Sequence, residues 1–250
     1  TPSAYTDYYF MQKEISKITR TVSYDRLGYG WSEKTSINRG IDRIVDELHT
    51  LLEKSGELPP YILVGHSLSS LEVIRFAQLF PQEVAGVVLI DGGNPTFYAE
   101  FNEYSTLVSM HLLKLAGKSG LIRALGNIGV LLPLTDERKR AGILPKGLSE
   151  IDKALFYKSS GDKNNIAEVK NINENANIVI SGGSIGSIPL VILTAESSAN
   201  NETWKRTQQQ LEEWSSNSKQ EIVKDTTHYI HWDNPTLIVE RIKELIYRLQ

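Results

Sequence analysis

Cysteine is absent from the 250 residues. That removes thiol nucleophiles, disulfides, iron–sulfur clusters and thiolate zinc sites together, and leaves the redox compartment open. Long apolar runs are also missing. None approaches the ~18 to 20 residues that cross a bilayer, so no membrane span is expected. The opening Thr1-Pro-Ser-Ala-Tyr5 has neither the basic start nor the apolar stretch of a signal peptide. It has no initiator Met either, which fits a processed protein or one whose upstream part precedes residue 1. The cytoplasm is favoured on this reading, with an extracellular or membrane-anchored protein as the alternative if a leader came before. Charge of one sign is lacking too: 27 Lys and Arg face 30 Asp and Glu, for a net charge of -3. No global field draws such a chain to phosphate backbones, and nucleic acid is not an expected partner. Nothing in the sequence sets an oligomeric state.

What is present is an ordinary globular composition, 40% hydrophobic and 23% charged, enough for one substantial core or two smaller ones. Short β-branched runs occur at residues 18–24 (ITRTVSY), 61–64 (YILV), 84–90 (VAGVVLI), 188–194 (IPLVILT) and 221–223 (EIV). Several are apolar on both faces, as buried parallel strands require. Helical spacing lies between them. Residues 37–55 place Ile37, Ile41, Ile44, Val45, Leu48, Leu51 and Leu52 on one stripe, with Gly56 to end it and Pro59-Pro60 beyond. The last segment begins with Asn234 as a cap and Pro235 in the first turn, and carries one polar intruder, Arg241, on its apolar face. Alternating strands and helices predict a parallel sheet covered on both sides. Between Asp91 and Ile188 the strand signals stop, and helical patterns at 104–116, 121–132 and 150–157 take over. The spacing therefore predicts a core of residues 1–93 and 188–250, with residues 94–187 inserted as a helical lid at the carboxyl edge of the sheet, where open α/β sheets bind ligands.

The informative stretch is Tyr61-Ile-Leu-Val-Gly65-His66-Ser67-Leu68-Ser69. A buried strand runs into a helix through a turn whose apex is Ser67. A serine hydroxyl becomes nucleophilic only when something presents it and something takes its proton, and such a turn does the presenting. Position 69 is Ser where the G-x-S-x-G pattern has Gly. Three further segments stand in order: Tyr24-Asp25-Arg26-Leu27-Gly28-Tyr29-Gly30-Trp31-Ser32, Val87 to Asp91 followed by Gly-Gly-Asn-Pro, and Thr227-His228-Tyr229-Ile230-His231 before the terminal helix. On these four segments the chain resembles the α/β-hydrolase family over most of its length.

The resemblance implies an α/β-hydrolase fold and a Ser-His-acid triad. Ser67 matches the nucleophile and His228 the general base, with His231 as the competing candidate. His66, His49 and His111 are expected to be structural or solvated. The backbone N–H of Leu68 matches one oxyanion donor. The second would come from a loop at or before Thr1. The acid departs from the commonest pattern, because the text after the 188–194 strand is Thr-Ala-Glu196-Ser. Asp91 is the alternative and is favoured over Glu196, since the order Ser67, Asp91, His228 is kept and a short carboxylate on a rigid strand end can fix a histidine tautomer. The 25–32 loop lacks the Lys and Ser/Thr arrangement of a phosphate cradle and is read as structural. Tyrosines 5, 8 and 9 and Phe10 could line an acyl pocket, but at helical spacing they are read as core or lid contacts. No metal spacing and no cofactor motif is found.

The expected activity is hydrolysis of a small or medium-sized apolar carboxylic ester, without a cofactor, through an acyl-enzyme. Peptide amides, lactones and carbon–carbon bonds are alternative substrates. A non-catalytic small-molecule receptor or an inactive paralogue on the same fold is the alternative class. Serine at position 67 argues against a dehalogenase, which needs an aspartate there. The leucines and other aliphatics from Leu112 to Leu132 suggest an apolar pocket.

Overall fold

In a computed structural model, the described residues are 4–118, 144–159, 162–200 and 202–248. They divide into two compact units: residues 1–39 with 102–170, and residues 40–101 with 171–250. The second unit carries the sheet. Strands β1 (Tyr61–His66), β2 (Val84–Ile90), β3 (Leu190–Ala195) and β4 (Ser218–Val223) pair in the order β1-β2-β3-β4, all parallel. Val87 to Ile90 of β2 are wholly buried, which only a strand flanked on both faces can be. The edge strand β4 keeps Ile222 exposed.

Helices supply the cover. The helix Ile41–Lys54 buries Ile41, Ile44, Val45 and Leu52. It starts four residues later than the spacing predicts because Gly40 is extended and the Ile41 N–H is taken by the Asn175 side chain at 2.7 Å. Ile37 is left outside and exposed. The helix Ser69–Leu79 is buried on several sides, through Leu71, Val73, Ile74, Phe76 and Ala77. In the terminal helix Pro235–Arg248, Asn234 Oδ1 accepts from the Leu237 N–H at 3.2 Å, the expected cap. The polar intruder has a partner on β4: Arg241 Nε and Nη2 donate to the two oxygens of Glu221 at 2.7 and 3.1 Å. That fork ties the helix to the edge strand. Between β2 and β3 the helices Pro95–Ala99 and Ile172–Gly182 lie in this same unit. Asn173 Nδ2 spans the carbonyls of Tyr98, Ala99 and Phe101 at 2.9 to 3.1 Å.

The other unit contains the helices Tyr9–Ile15, Tyr104–Lys118, Lys146–Ser159 and Lys163–Lys170. Its centre is Glu168, whose carboxylate meets Arg39 Nε at 3.2 Å, Arg26 Nη2 at 3.2 Å and the Tyr29 hydroxyl at 2.7 Å, all in a buried setting. Asn165 donates to the Tyr29 oxygen at 2.8 Å. Asp25 accepts from the Tyr5 and Trp31 amides at 2.8 and 2.9 Å. The 25–32 loop is thus a scaffold in which every notable polar group is engaged by its own neighbours. The run 18–24, expected as a strand, forms none. A strand exists only through a partner, and this segment groups with the helical unit, where side-chain bonds tie it instead to the first helical turns: Gln12 donates to the Thr21 carbonyl, and the Ser23 hydroxyl donates to the Tyr5 carbonyl. The predicted helix over 121–132 lies outside the described residues. No helix among the described residues is long and apolar enough to cross a membrane.

Candidate active site

Strand β1 ends at His66, and Ser67 then takes φ 53°, a left-handed conformation that costs a non-glycine residue about 1 to 3 kcal/mol. The surroundings hold it there. The Ser67 N–H donates to the Ile90 carbonyl at 3.3 Å, and its own carbonyl accepts from Ser70 and Gly93 at 3.1 and 3.2 Å. The turn is therefore pinned to β2 and to the loop after it. Gly65 is needed because a Cβ there would sit 3.0 Å from the Ser69 carbonyl oxygen and 3.0 Å from Val73. The close approach falls on the backbone of Ser69, so the extra hydroxymethyl at that position is accommodated. Leu68 opens the helix Ser69–Leu79, and its N–H belongs to the positive first turn.

Asp91 ends β2 with φ 42° and is wholly buried. Its Oδ1 accepts from the Ala195 N–H at 3.1 Å and the Trp204 indole at 3.4 Å. Its Oδ2 accepts from the Ser198 hydroxyl at 2.6 Å and lies 2.6 Å from His228 Nδ1. A carboxylate in that position makes Nδ1 the protonated nitrogen and leaves Nε2 as the free base. The structure thus brings His228 and Asp91 together. Glu196 is engaged elsewhere, accepting from the Asp225 N–H at 2.9 Å near the surface.

The other histidines sort by their partners. His66 Nε2 donates to the His228 carbonyl at 2.8 Å and so fixes the backbone that carries the base. Burial, with His231 and His228 beside it, pushes the His66 imidazole well below its ordinary pKa, so it stays neutral. His231 is buried and packs edge-on against His66, with ring centres 4.5 Å apart. His49 stacks on Phe80 and faces Glu83, and His111 bonds the carbonyl one turn back in its own helix. Thr227 is tied to Asp233 through its amide and hydroxyl at 2.7 and 2.6 Å, which braces the loop around His228.

Several residues around the site were not legible in the sequence. Ser198 and Trp204 hold Asp91, and Gln208 bridges the Thr194 hydroxyl to the Gly92 carbonyl. The Trp204 ring is also edge-on to His228 at 5.9 Å and to Phe97 at 4.9 Å. Tyr98 is buried, and burial holds its phenol well above the ordinary pKa, with the nearby Ser67 side chain pulling the other way. The signal for Phe97 and Tyr98 lay in Asn94-Pro95, a cap and first-turn pair that starts a helix right after the Asp91 strand end. Asn94 Oδ1 does accept from the Thr96 N–H at 3.0 Å. Among the described residues Ser67 makes no hydrogen bond to His228. No group of three or more His, Asp or Glu side chains there is placed to hold a metal ion.

Three comparisons bear on this geometry. Residues 3–235 match the family model described as the alpha/beta hydrolase fold. An uncharacterized protein, YbdG, from Bacillus subtilis is 30% identical over 197 residues, covering 76% of this chain and 58% of that protein. The chain spans roughly half the length of such curated relatives. Among solved structures, a thermophilic esterase from Thermogutta terrifontis superposes with a TM-score of 0.70 at 15% identity, covering 99% of this chain and 87% of the other. The enol-lactonase of Burkholderia xenovorans LB400 gives 0.72 at 14% identity, covering 98% and 88%. At such identities these structures speak for the fold.

Proposed function

This chain belongs to the α/β-hydrolase family, and from that premise we propose that it is a serine hydrolase of small or medium-sized apolar carboxylic esters. Ser67 is the nucleophile, His228 the base and Asp91 the acid. The observation that carries the reading is the 2.6 Å contact between the buried Asp91 carboxylate and His228 Nδ1, in the same unit as a left-handed Ser67.

The chemistry rests on the groups in place. His228 Nε2 takes the Ser67 proton as Oγ adds to the acyl carbon, and Asp91 stabilises the imidazolium without taking a proton itself. The carbonyl oxygen, now negative, accepts from the Leu68 N–H. Collapse expels the alcohol, which leaves with the proton from His228, and water repeats the sequence to release the acid. Formation of a hydrogen bond from the Ser67 hydroxyl to His228 Nε2 precedes the attack; such contacts commonly tighten only once substrate is bound. Substrate choice falls to the helix Pro95–Ala99 after β2, of which Phe97 and Tyr98 stand beside the reacting groups. With Trp204 they offer an aromatic wall suited to an apolar acyl or alkyl group.

The test is hydrolysis of 4-nitrophenyl acetate and butyrate, monitored from the first turnover. A burst of nitrophenol matching the enzyme concentration, lost in Ser67→Ala, is expected. Undiminished hydrolysis by Ser67→Ala would remove the nucleophile, and tight ligand binding with no burst would favour a receptor.

A further inference from the structure

The segment that follows β3 reaches both members of the acid–base pair. Ala195 ends the strand, and the short helix Glu196–Ala199 follows at once. On one side this segment meets the acid: the Ala195 N–H donates to Asp91 Oδ1 at 3.1 Å and the Ser198 hydroxyl to Oδ2 at 2.6 Å. On the other it meets the loop that leads to the base. The Ser197 N–H donates to the Thr226 carbonyl at 3.2 Å, and the Glu196 carboxylate accepts from the Asp225 N–H at 2.9 Å. Consecutive residues thereby set the acid and the base against each other. Within that clamp the half-buried Ser198 has a distinct place. It binds the same carboxylate oxygen as His228 Nδ1, at the same 2.6 Å, whereas Ala195 and Trp204 bind Oδ1 at 3.1 and 3.4 Å. A carboxylate oxygen offers about two lone-pair directions. With Ser198 on one of them, the other is aimed at the imidazole. Without it, Oδ2 would be held only by the imidazole that it has to orient.

We propose that Ser198 is a positioning residue that acts on His228 through Asp91. Its hydroxyl fixes the direction in which Oδ2 faces Nδ1, and so keeps the proton on Nδ1 and leaves Nε2 free for the serine proton. This rests on Ser67, His228 and Asp91 being the reacting groups. Ser198 touches no substrate and exchanges no proton. It opposes rotation of the carboxylate, above all when His228 becomes imidazolium and its pull on Oδ2 is greatest. Glu196, the other polar side chain of the helix that reaches this region, holds the Asp225 amide and lies outside this path.

The experiment measures kcat and KM on 4-nitrophenyl butyrate, and the rate of Ser67 labelling by a fluorophosphonate. It compares wild type, Ser198→Ala, Ser198→Thr, Asp91→Asn and the double variant Ser198→Ala/Asp91→Asn. At metal sites, losing the outer partner of a functional histidine costs about 10 to 10²-fold in activity. Ser198→Ala should lose kcat by that order, with KM nearly unchanged and labelling slowed in parallel. Ser198→Thr keeps the hydroxyl and should regain most of the loss. In the Asp91→Asn background the oxygen that Ser198 holds is gone, so the further change to Ala should alter kcat by less than about twofold. A merely structural role would add its full loss in both backgrounds. Ser198→Cys, of similar shape but a weak donor, decides the matter if the Ala variant fails to fold, and should also fall below wild type in kcat. A kcat for Ser198→Ala, or for the Cys variant in its place, within about twofold of wild type would overturn the proposal. So would a loss confined to KM, a Thr variant as slow as the Ala variant, or losses that multiply in the double variant. Wild type that labels at Ser67 while Ser198→Ala labels equally fast sinks Ser198 alone. Wild type that does not label at Ser67 sinks the nucleophile reading and this inference with it.

Discussion

Replacing Asp91 by Asn keeps the shape of the side chain and removes both its charge and one acceptor. The four donors around Asp91 decide which way the new amide turns. On the Oδ1 side are the Ala195 amide and the Trp204 indole, neither of which can turn round to accept a hydrogen bond. On the Oδ2 side are the Ser198 hydroxyl and the His228 imidazole, which can accept by rotation or by tautomer change. The asparagine oxygen therefore settles on the first side and its NH₂ faces His228 Nδ1. That choice forces the proton of His228 onto Nε2, the nitrogen that should take the serine proton. A base in the wrong tautomer costs about 10⁴-fold in turnover, or roughly 5.5 kcal/mol of transition-state stabilisation. Burst and steady-state kinetics on 4-nitrophenyl butyrate measure this directly. Glu196→Gln keeps the oxygen that accepts from the Asp225 N–H and should change turnover by less than about twofold. An Asp91→Asn enzyme within tenfold of wild type, or a Glu196→Gln enzyme more damaged than it, would refute the reasoning.

Ser67→Gly removes the nucleophile and also the left-handed strain at φ 53°; urea unfolding should show a gain of about 1 kcal/mol alongside complete loss of the burst, and a loss of stability would contradict the strain. Glu168→Gln leaves Arg26 and the fully buried Arg39 without their anion, which should cost about 3 to 5 kcal/mol and lower Tm by on the order of 10 °C; a drop under 2 °C in thermal unfolding would refute it. His66 is held neutral in the fold, with its pKa below the unfolded value of about 6.5. The unfolded chain therefore binds the extra proton as pH falls below that value. Stability should be level above about pH 6.5 and decline below it by up to about 1.4 kcal/mol per pH unit. Urea titrations at several pH values should find this slope reduced in His66→Gln, and an unchanged slope would remove His66 as its source.

The sequence made the sheet legible wherever a strand is buried on both faces, as at Val84–Ile90, because such a strand must be an unbroken apolar run. It misled at 18–24, where β-branched residues satisfy a local propensity but no strand among the described residues completes the pairing. Helix ends were legible where the cap is local, as at Asn234, and not where it comes from afar, as when Asn175 takes the Ile41 amide. The same division runs through the site. Ser67, His228 and the preference for Asp91 rest on motifs with fixed local geometry. Ser198, Trp204 and Gln208 converge on the site only after β2 and β3 are paired, and no short-range pattern marks them.

The most direct test of the account is the site of covalent capture. Intact-mass and peptide mapping after brief exposure to a fluorophosphonate should find one adduct, on Ser67, absent from Ser67→Ala and formed orders of magnitude more slowly in His228→Gln. An adduct on another residue, or none under conditions where the protein is folded, would contradict the claim that this turn presents an activated serine.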